Sequence, residues 1–579
     1  MRILVVNLLR IGDIISTLPA LKKFRLDHPT AQIDLLINSS FAHMVGVVGY
    51  VDRVLLFDRD AIQKSLVDAE RPLFEGYDLL KETVDGLNEQ GYDRIVNFTH
   101  NRLSGWLCGL IQAGEKHGLV FDGTGAVSFG DPWFRFLNAQ VDIDSGHAIN
   151  HSDIFLGAAA GWSAEPNRTF FDSLLSETDR GRAECEALLR SALVDGPRLV
   201  LQLSTSDQKK EWGDDRFRAL VHRLSSHFPK LTVFVLGAPN EVKRIRMFCE
   251  DLNATDSAHE TAIIPAVVSL EGAVSLLEES DILVTGDTSI KHLAAAASIP
   301  IVELSLGSAD VFRTGSWKAG DIIVSSKEPC APCGHSELCH RASHLCAEGL
   351  PAELIAELVI RRMQSPQLLA REHREALRQF AKLAEVHVVD RSEGPAHPLP
   401  LFAELTDVNL ASLLERTARC ISVEMQSGRF SEFDFGSAIR RAAIVLRKQF
   451  FDESDTDLRH ILSLHERELR HAEGLLQSLR LQIARVKENY QDPGQLKDVI
   501  RSCISTQKRL RQSAILSFAS EALAAVVEDD RSAPFTRLRK MIDAIEELER
   551  RQMIVVKLCR GLETQTFDSF ESERFEGNK

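Results

Sequence analysis

Three separated stretches hold side chains suited to chemistry on an oxygen-rich, negatively charged ligand. In "NLLRIGDIISTLPALKKF" (7–24), Asp13 stands beside Gly12 just after the apolar run "RILVV". A carboxylate at a strand-to-helix turn can take a proton from an attacking hydroxyl, or it can simply cap the helix; Asn caps about as well as Asp but cannot serve as the base. In "QLSTSDQKKEWGDDRF" (202–217), Thr205 and Ser206 can donate to phosphate oxygens and Lys210 can meet them as a point charge. The plain alternative is a hydroxyl-rich turn with solvated lysines. In "VTGDTSIKHLAAAASIPIVELSLGS" (284–308), a strand delivers Asp287, Thr288 and Ser289 to the start of a helix, so backbone N–H groups and the helix dipole face any ligand there. Asp287 can equally be an N-cap, and His292, one turn in, can face a ligand or pack.

A fourth cluster is different in kind. "CAPCGHSELCHRASHLC" sets Cys330, Cys333, Cys339 and Cys346 at C-x2-C-x5-C-x6-C, with His335, His340 and His344 between them. Four thiols so close in a chain of reducing surroundings predict a tetrahedral structural metal site of zinc or iron, which spacing alone does not separate. The other six of the ten cysteines are scattered and read as small buried hydrophobes.

The elements that must position these groups follow from the rhythm of apolar runs. "RILVV", "QIDLLI", "DRVLLF" and "YDRIVNF", then "PRLVLQL", "LTVFVLG", "TAIIPAV", "DILVTG" and "PIVELSLG", alternate with helical patterns. Strands separated by helices of that length predict βαβ units and parallel sheets. Two doubly wound, Rossmann-like halves in tandem, 1–168 and 169–364, put a ligand cleft at their strand carboxyl ends. The Pro-rich "SEGPAHPLP" (392–400) reads as a connector, and 365–579 as an all-α appendage. Leu462, Leu469, Leu476 and Ile483 repeat every seven residues, the seam of a coiled coil or helical hairpin. That region predicts packing, self-association or partner contact.

Bulk properties narrow the class. The chain has 579 residues, 44% hydrophobic, with a net charge of -15 and a pI near 5.7. Nothing in that balance offers the basic face that nucleic acid requires. The first apolar run is broken by Asn7, Arg10 and Asp13, too early for a secretion signal, and no run approaches a membrane span. A cytoplasmic location follows, with contact at a membrane surface left open. A turn of the G-x-G-x-x-G kind is missing after the first strand, which counts against a nicotinamide-dependent oxidoreductase.

Taken in order, "GDIISTLPALKKF", "STSDQKKEW" and "GDTSIKHLAAAASIPIVEL" resemble the ADP-heptose:lipopolysaccharide heptosyltransferases, glycosyltransferase family 9, over roughly residues 1–362. The resemblance implies a GT-B fold with the acceptor on the first half and the nucleotide sugar on the second. It implies Asp13 as general base, Lys210 with Thr205 and Ser206 at the diphosphate, the Asp287–Thr288–Ser289 loop around phosphates and sugar, and Glu241 at the ribose. Similar cysteine clusters occur in relatives that modify bacterial adhesins, where iron is associated with the site. Two positions depart from the pattern: Ser289 stands where glycine is usual, and Lys291 where the residue is often small or uncharged. The reading is an inverting transferase moving heptose from ADP-heptose, or a related nucleotide sugar, to a hydroxyl of a glycan or protein. The rivals are a GT-B enzyme with another nucleotide sugar and a weakly catalytic scaffold acting through its helices.

Overall fold

The computed structural model describes residues 1–402, apart from 68–72, 140–148, 161–167, 173, 194, 256–259, 335–337, 340, 342, 366–370 and 392–394, together with residues 470, 474, 477 and 481. The predicted helical appendage beyond residue 402, apart from residues 470, 474, 477 and 481, therefore lies outside the described residues, and its heptad seam with it.

Residues 1–135 and 149–402 form one compact unit containing two α/β sheets. The first is built from β1 (Arg2–Asn7), β2 (Gln32–Asn38), β3 (Arg53–Phe57), β4 (Tyr92–Asn97) and β5 (Ala113–Gly118), in the order β3-β2-β1-β4-β5. A short hairpin, β6 (Val120–Phe121) and β7 (Val127–Ser128), follows. All four pairings of the five strands are parallel. β1 is central, so Ile3 through Val6 are covered on both faces, as a near-continuous apolar run in a parallel sheet requires.

The second sheet repeats the plan and extends it. β8 (Arg198–Leu201), β9 (Lys230–Gly237), β10 (Glu260–Val267), β11 (Ile282–Gly286), β12 (Ile301–Ser305) and β13 (Ile322–Ser326) run parallel, and β14 (Ala384–Asp390) and β15 (His397–Pro400) add antiparallel strands at one edge. The order is β10-β9-β8-β11-β12-β13-β14-β15. In each sheet the strand order reverses beside the first strand, between β1 and β4 and between β8 and β11. Those reversals open the crevices in which ligands of such sheets bind.

Two sequence expectations change here. The helical region cannot begin at residue 365, because 384–390 and 397–400 are strands of the second sheet. Nor is 392–400 only a connector: "HPLP" closes it as β15, with Pro398 and Pro400 tolerated because the strand is at the edge and need not donate on its outer side.

The second core gathers Leu199, Leu201, Trp212, Phe217, Leu220 and Val284, all essentially buried. Each fully buried side chain of this size contributes roughly 1.5–3 kcal/mol relative to exposure. Trp212 matters to function because it fixes the loop that carries Lys210: its ring packs edge-on to Phe217 at 4.9 Å, and its Nε1 donates to the Leu350 carbonyl at 2.9 Å.

The His151–Ala160 helix ties the first half to the second. Asn150 caps it, accepting from Ser152 N at 3.1 Å, and donates through Nδ2 to the Gly315 carbonyl at 2.8 Å. Asp153, fully buried, pairs with Arg391 at 2.5 Å and accepts from Ala396 N at 2.9 Å. The strands β14 and β15 thus do more than extend a sheet, since Arg391 after the first and Ala396 before the second anchor a helix of the other half.

Candidate active site

β1 ends at Asn7, which is buried and holds the turn that follows. Its Oδ1 accepts from Leu9 N at 3.1 Å, and its Nδ2 donates to the Asp13 carbonyl at 3.1 Å. The Ile11–Ser16 helix starts there with Arg10 at the cap position, so Asp13 is not the N-cap. It is the third helical residue, and its Oδ2 reaches back to accept from Arg10 N at 3.2 Å. That contact is the returning half of a capping box.

Asp13 is half-buried, and burial pushes its carboxyl above the ordinary range. His151 and the Arg10 backbone and side chain pull it back, while Asp287 adds to the rise. His151 itself is pushed down by burial, against the opposing fields of Asp13 and Asp310 and with Arg313 adding to the fall. A histidine facing Asp13 did not figure among the sequence candidates. Only the fold brings residue 151 to residue 13.

The Ser289–Ala297 helix, from the end of β11, meets the Ile11–Ser16 helix at Gly12. A Cβ at Gly12 would lie 2.7 Å from His292 Cδ2, so the glycine permits the crossing. Ser16 Oγ lies 3.5 Å from His292 Nδ1 and donates to the Gly12 carbonyl at 2.9 Å. His292 therefore packs on the first half beside Asp13. Burial, then Lys291, pushes its imidazole down to about 3.

Asp287 is the hub of the second half. Lys210 Nζ donates to its Oδ2 at 2.7 Å and Lys291 Nζ to its Oδ1 at 2.5 Å. Burial works to raise this carboxyl, but Lys291 and Lys210 outweigh it and hold it well below the usual range. Lys291 is fully buried and also donates to Glu303 Oε1 at 3.0 Å and to the Thr314 carbonyl at 2.7 Å. Glu303, on β12, accepts in turn from Ser316 N at 2.7 Å.

The remaining candidates divide. Thr288 stands at the cap of the Ser289–Ala297 helix without a side-chain cap bond, its Oγ1 donating instead to Gln202 Oε1 at 2.6 Å. The first-turn amides, Ser289 among them, are thus not capped by that hydroxyl. Thr205 Oγ1 donates to the Asp207 carbonyl at 2.6 Å, a local turn, so its proton is committed within the loop. Ser206 is exposed beside it. Gly286 lets the loops approach, since a Cβ there would sit 2.9 Å from Thr205 Cγ2. Glu241 accepts from Ala238 N at 2.7 Å and from the Ser204 hydroxyl, fixing it at the end of β9.

The cysteine segment leans on the same loop. Cys333 N donates to the Gly307 carbonyl at 2.8 Å, Lys209 Nζ to the Gly334 carbonyl at 3.1 Å, and His344 Nε2 to the Lys209 carbonyl at 2.9 Å. Cys330 and Cys333 are half-buried, Cys339 is exposed and Cys346 buried. The thiols feel one another: burial raises Cys333, and Cys346, Cys330 and Cys339 add to it. Yet among the described residues no three His, Cys, Asp or Glu side chains form a group able to hold a metal ion. The expected four-thiolate shell is therefore not assembled. Cys346 sits in the Leu345–Glu348 helix with His344 as its partner, whose bond lowers the thiol against burial, while Cys339 is turned outward.

Residues 82–341 match the family model described as glycosyltransferase family 9 (heptosyltransferase). Over that span the chain is similar to the heptosyltransferases of family 9, and it is a glycosyltransferase. Asp13 lies outside the matched span, whereas Lys210 and the Asp287 loop lie within it. The glycosyltransferase is 24% identical to lipopolysaccharide heptosyltransferase 1 of Escherichia coli K12 over 330 residues, which is 56% of this chain and 93% of that protein. It is 25% identical to the enzyme of the same description from Pseudomonas aeruginosa over 335 residues, 58% of this chain and 86% of that one. Among solved structures, an E. coli heptosyltransferase with ADP aligns over 62% of this chain and 99% of its own at 18% identity, with a TM-score of 0.44. No helix among the described residues is long and apolar enough to cross a membrane.

Proposed function

We propose that this glycosyltransferase moves a heptose from ADP-heptose to an acceptor hydroxyl, on a lipopolysaccharide core sugar or a protein side chain, with inversion at the anomeric carbon. The observation that carries the reading is the pairing of two acids of opposite character at one crevice. Asp13 is raised by burial and holds a single backbone N–H through Oδ2. Asp287 is clamped by two ammonium groups and lowered. Environments that drive two carboxyls apart assign them different tasks.

In this reading Asp13 is the general base, taking the proton of the acceptor hydroxyl as it attacks. A placed base is worth about 10²- to 10⁴-fold in rate. His151 faces the same carboxyl and shares its field. The leaving diphosphate gains charge as the glycosidic bond breaks, and Lys210, Ser206 and the first-turn amides of the Ser289–Ala297 helix supply positive charge and donors for it. Thr205 shapes that loop. Glu241, at the carboxyl end of β9, would meet the ribose hydroxyls, and Thr288, bonded to Gln202, would line the loop beside the sugar. The first half, 1–168, would then carry the acceptor and the second half, from 169, the donor.

Cys330, Cys333, Cys339 and Cys346 would suit a structural zinc or iron ion by donor chemistry alone, since the four do not meet in this structure. Through Lys209, such an ion would brace the loop that holds Lys210. Cys333→Ser is expected to lower bound metal and thermal stability together; a variant that keeps its full metal content would remove the assignment. A cytoplasmic location and contacts made through the helical region remain part of the same proposal.

The test of donor class is ADP release from the purified chain supplied with ADP-heptose and a Gram-negative cell extract, beside UDP- and GDP-sugars. Release that requires both ADP-heptose and extract supports the reading, and the modified component identifies the acceptor. Binding of uracil or guanine nucleotides in preference to adenine would move the enzyme to another donor. Absence of any nucleotide binding would favour the scaffold alternative.

A further inference from the structure

Lys291 departs from the family pattern, and its surroundings show what the departure does. The ammonium is fully buried and donates to three acceptors, Asp287 Oδ1, Glu303 Oε1 and the Thr314 carbonyl, at 2.5, 3.0 and 2.7 Å. Three N–H groups and three acceptors leave it nothing to offer a ligand. Its position is also unfavourable in isolation, because a cation in the first turn of a helix opposes the dipole. A group so placed is retained for what it holds.

What it holds is one oxygen of Asp287, while Lys210 holds the other at 2.7 Å. The side chains of Lys210 and Asp287 are 10% and 11% exposed, so their pair keeps a little contact with solvent, whereas Lys291 and Glu303 beyond it have almost none. For Lys210 to reach a diphosphate it must loosen this bond. A largely buried carboxylate that loses its only cation is strongly penalised, and the penalty would be subtracted from donor affinity. Lys291 removes that difficulty by staying on Asp287 when Lys210 leaves. Glu303 shares the ammonium from the far side, and itself accepts from Ser316 N at 2.7 Å. The four charges alternate along the series Lys210, Asp287, Lys291, Glu303, and the cation at its end, Lys210, is the more exposed of the two.

We infer that Lys291 is a positioning residue that keeps Asp287 anchored during donor binding, so that Lys210 can exchange Asp287 for the diphosphate of the nucleotide sugar. The inference rests on the proposed role of Lys210. The pKa directions agree with the geometry: burial works against the charge on Lys291, but Asp287 and Glu303 prevail and raise it.

The experiment compares ADP and adenosine affinities, because their ratio isolates the diphosphate contribution. It uses the full chain, its Lys210→Ala variant, its Glu303→Gln variant and the charge-balanced double variant Lys291→Met/Glu303→Gln, with circular dichroism as the check on folding. Lys210→Ala reports on the underlying reading: if the ADP-to-adenosine ratio does not fall, Lys210 is not the diphosphate contact and the reading fails first. If it does fall, the double variant is expected to lose about tenfold or more in ADP affinity with adenosine affinity within about twofold of wild type. Parallel loss of both ligands, as a merely structural role would give, or an unchanged ADP affinity, overturns the inference. Should the double variant not fold, Glu303→Gln decides: Lys291 then has Asp287 as its one anionic partner, beside the Thr314 carbonyl, and ADP affinity should hold or rise. A tenfold fall there would overturn the proposal.

Discussion

The two halves of the molecule arrive at the same crevice by the same topology and deliver opposite kinds of acid. In the first, β1 passes through the Asn7 turn into a six-residue helix, and Asp13 is left with one backbone donor and a histidine in view. In the second, β11 passes into a nine-residue helix, and Asp287 is saturated by Lys210 and Lys291. Burial raises both carboxyls, and only the second has enough positive charge to reverse it. A doubly wound sheet therefore fixes where a reactive acid stands, while the neighbours decide whether it accepts a proton or holds its charge. The proposed base and the anchor are the same residue type at equivalent ends of equivalent sheets.

The contrast can be broken most severely at Asp287. Asp287→Ala removes the shared acceptor of two largely buried ammonium groups, so stability should fall by about 3–5 kcal/mol and ADP affinity with it. Denaturant unfolding and ADP titration check both. A loss of ADP affinity without loss of stability would mean that the ion cluster is not part of the fold's support.

Trp212→Ala probes the same side through packing. The indole is buried against Phe217 and bonded to the Leu350 carbonyl, so about 3–5 kcal/mol is expected, measured by unfolding. Asp13-dependent chemistry should survive in whatever fraction stays folded, whereas nucleotide affinity should weaken because the Lys210 loop is loosened.

The first half is sharpened by Gly12→Ala, whose new methyl would meet His292 Cδ2 at 2.7 Å. Overpacking of this kind costs roughly 1–3 kcal/mol and would displace the Ile11–Ser16 helix. Turnover is expected to fall more than ADP affinity. Equal falls in both would show that the helix crossing serves the donor side as well.

The effect that is smallest at neutral pH concerns titration. His292 has a folded value of about 3 against an ordinary 6.5, so it stays neutral in the fold while the unfolded chain takes a proton. Its contribution is fully present above pH 6.5 and is lost as pH falls from there toward about 3. His292→Gln should flatten the fall in thermal stability over that window, and an unchanged slope would contradict the burial argument.

Much of this was legible in the chain itself. "RILVV", "LTVFVLG" and "DILVTG" announce parallel strands because both their faces must be apolar, and the loops after β1, β8 and β11 carry the hydroxyls and charges. What stayed hidden depends on distance in sequence. β5, "AGEKHG", carries too many polar residues to read as a strand, yet it lies at the edge of its sheet, where one side meets solvent. β14 and β15 lack the βα rhythm because they close the sheet in antiparallel fashion. His151 faces Asp13 only after helix and sheet have packed. For Lys291 and Glu303 a signal did exist: a lysine inside "SIKHLAAAA" and a glutamate inside "IVELS" are opposite charges in two otherwise buried segments, and such charges are rarely left unpaired. The four cysteines are the opposite case, since their spacing suggests a closed shell that the described residues do not assemble.

The central claim is that Asp13 accepts the proton and Asp287 does not. The most direct test measures turnover and ADP affinity of Asp13→Asn beside the wild type, with ADP-heptose and the acceptor found in extract. Asn keeps an oxygen to accept from Arg10 N, so fold and donor site should be preserved. The account predicts a fall in turnover of about 10²- to 10⁴-fold with ADP affinity unchanged. Turnover within a few-fold of wild type would contradict it and leave Asp13 as the returning half of a helix cap.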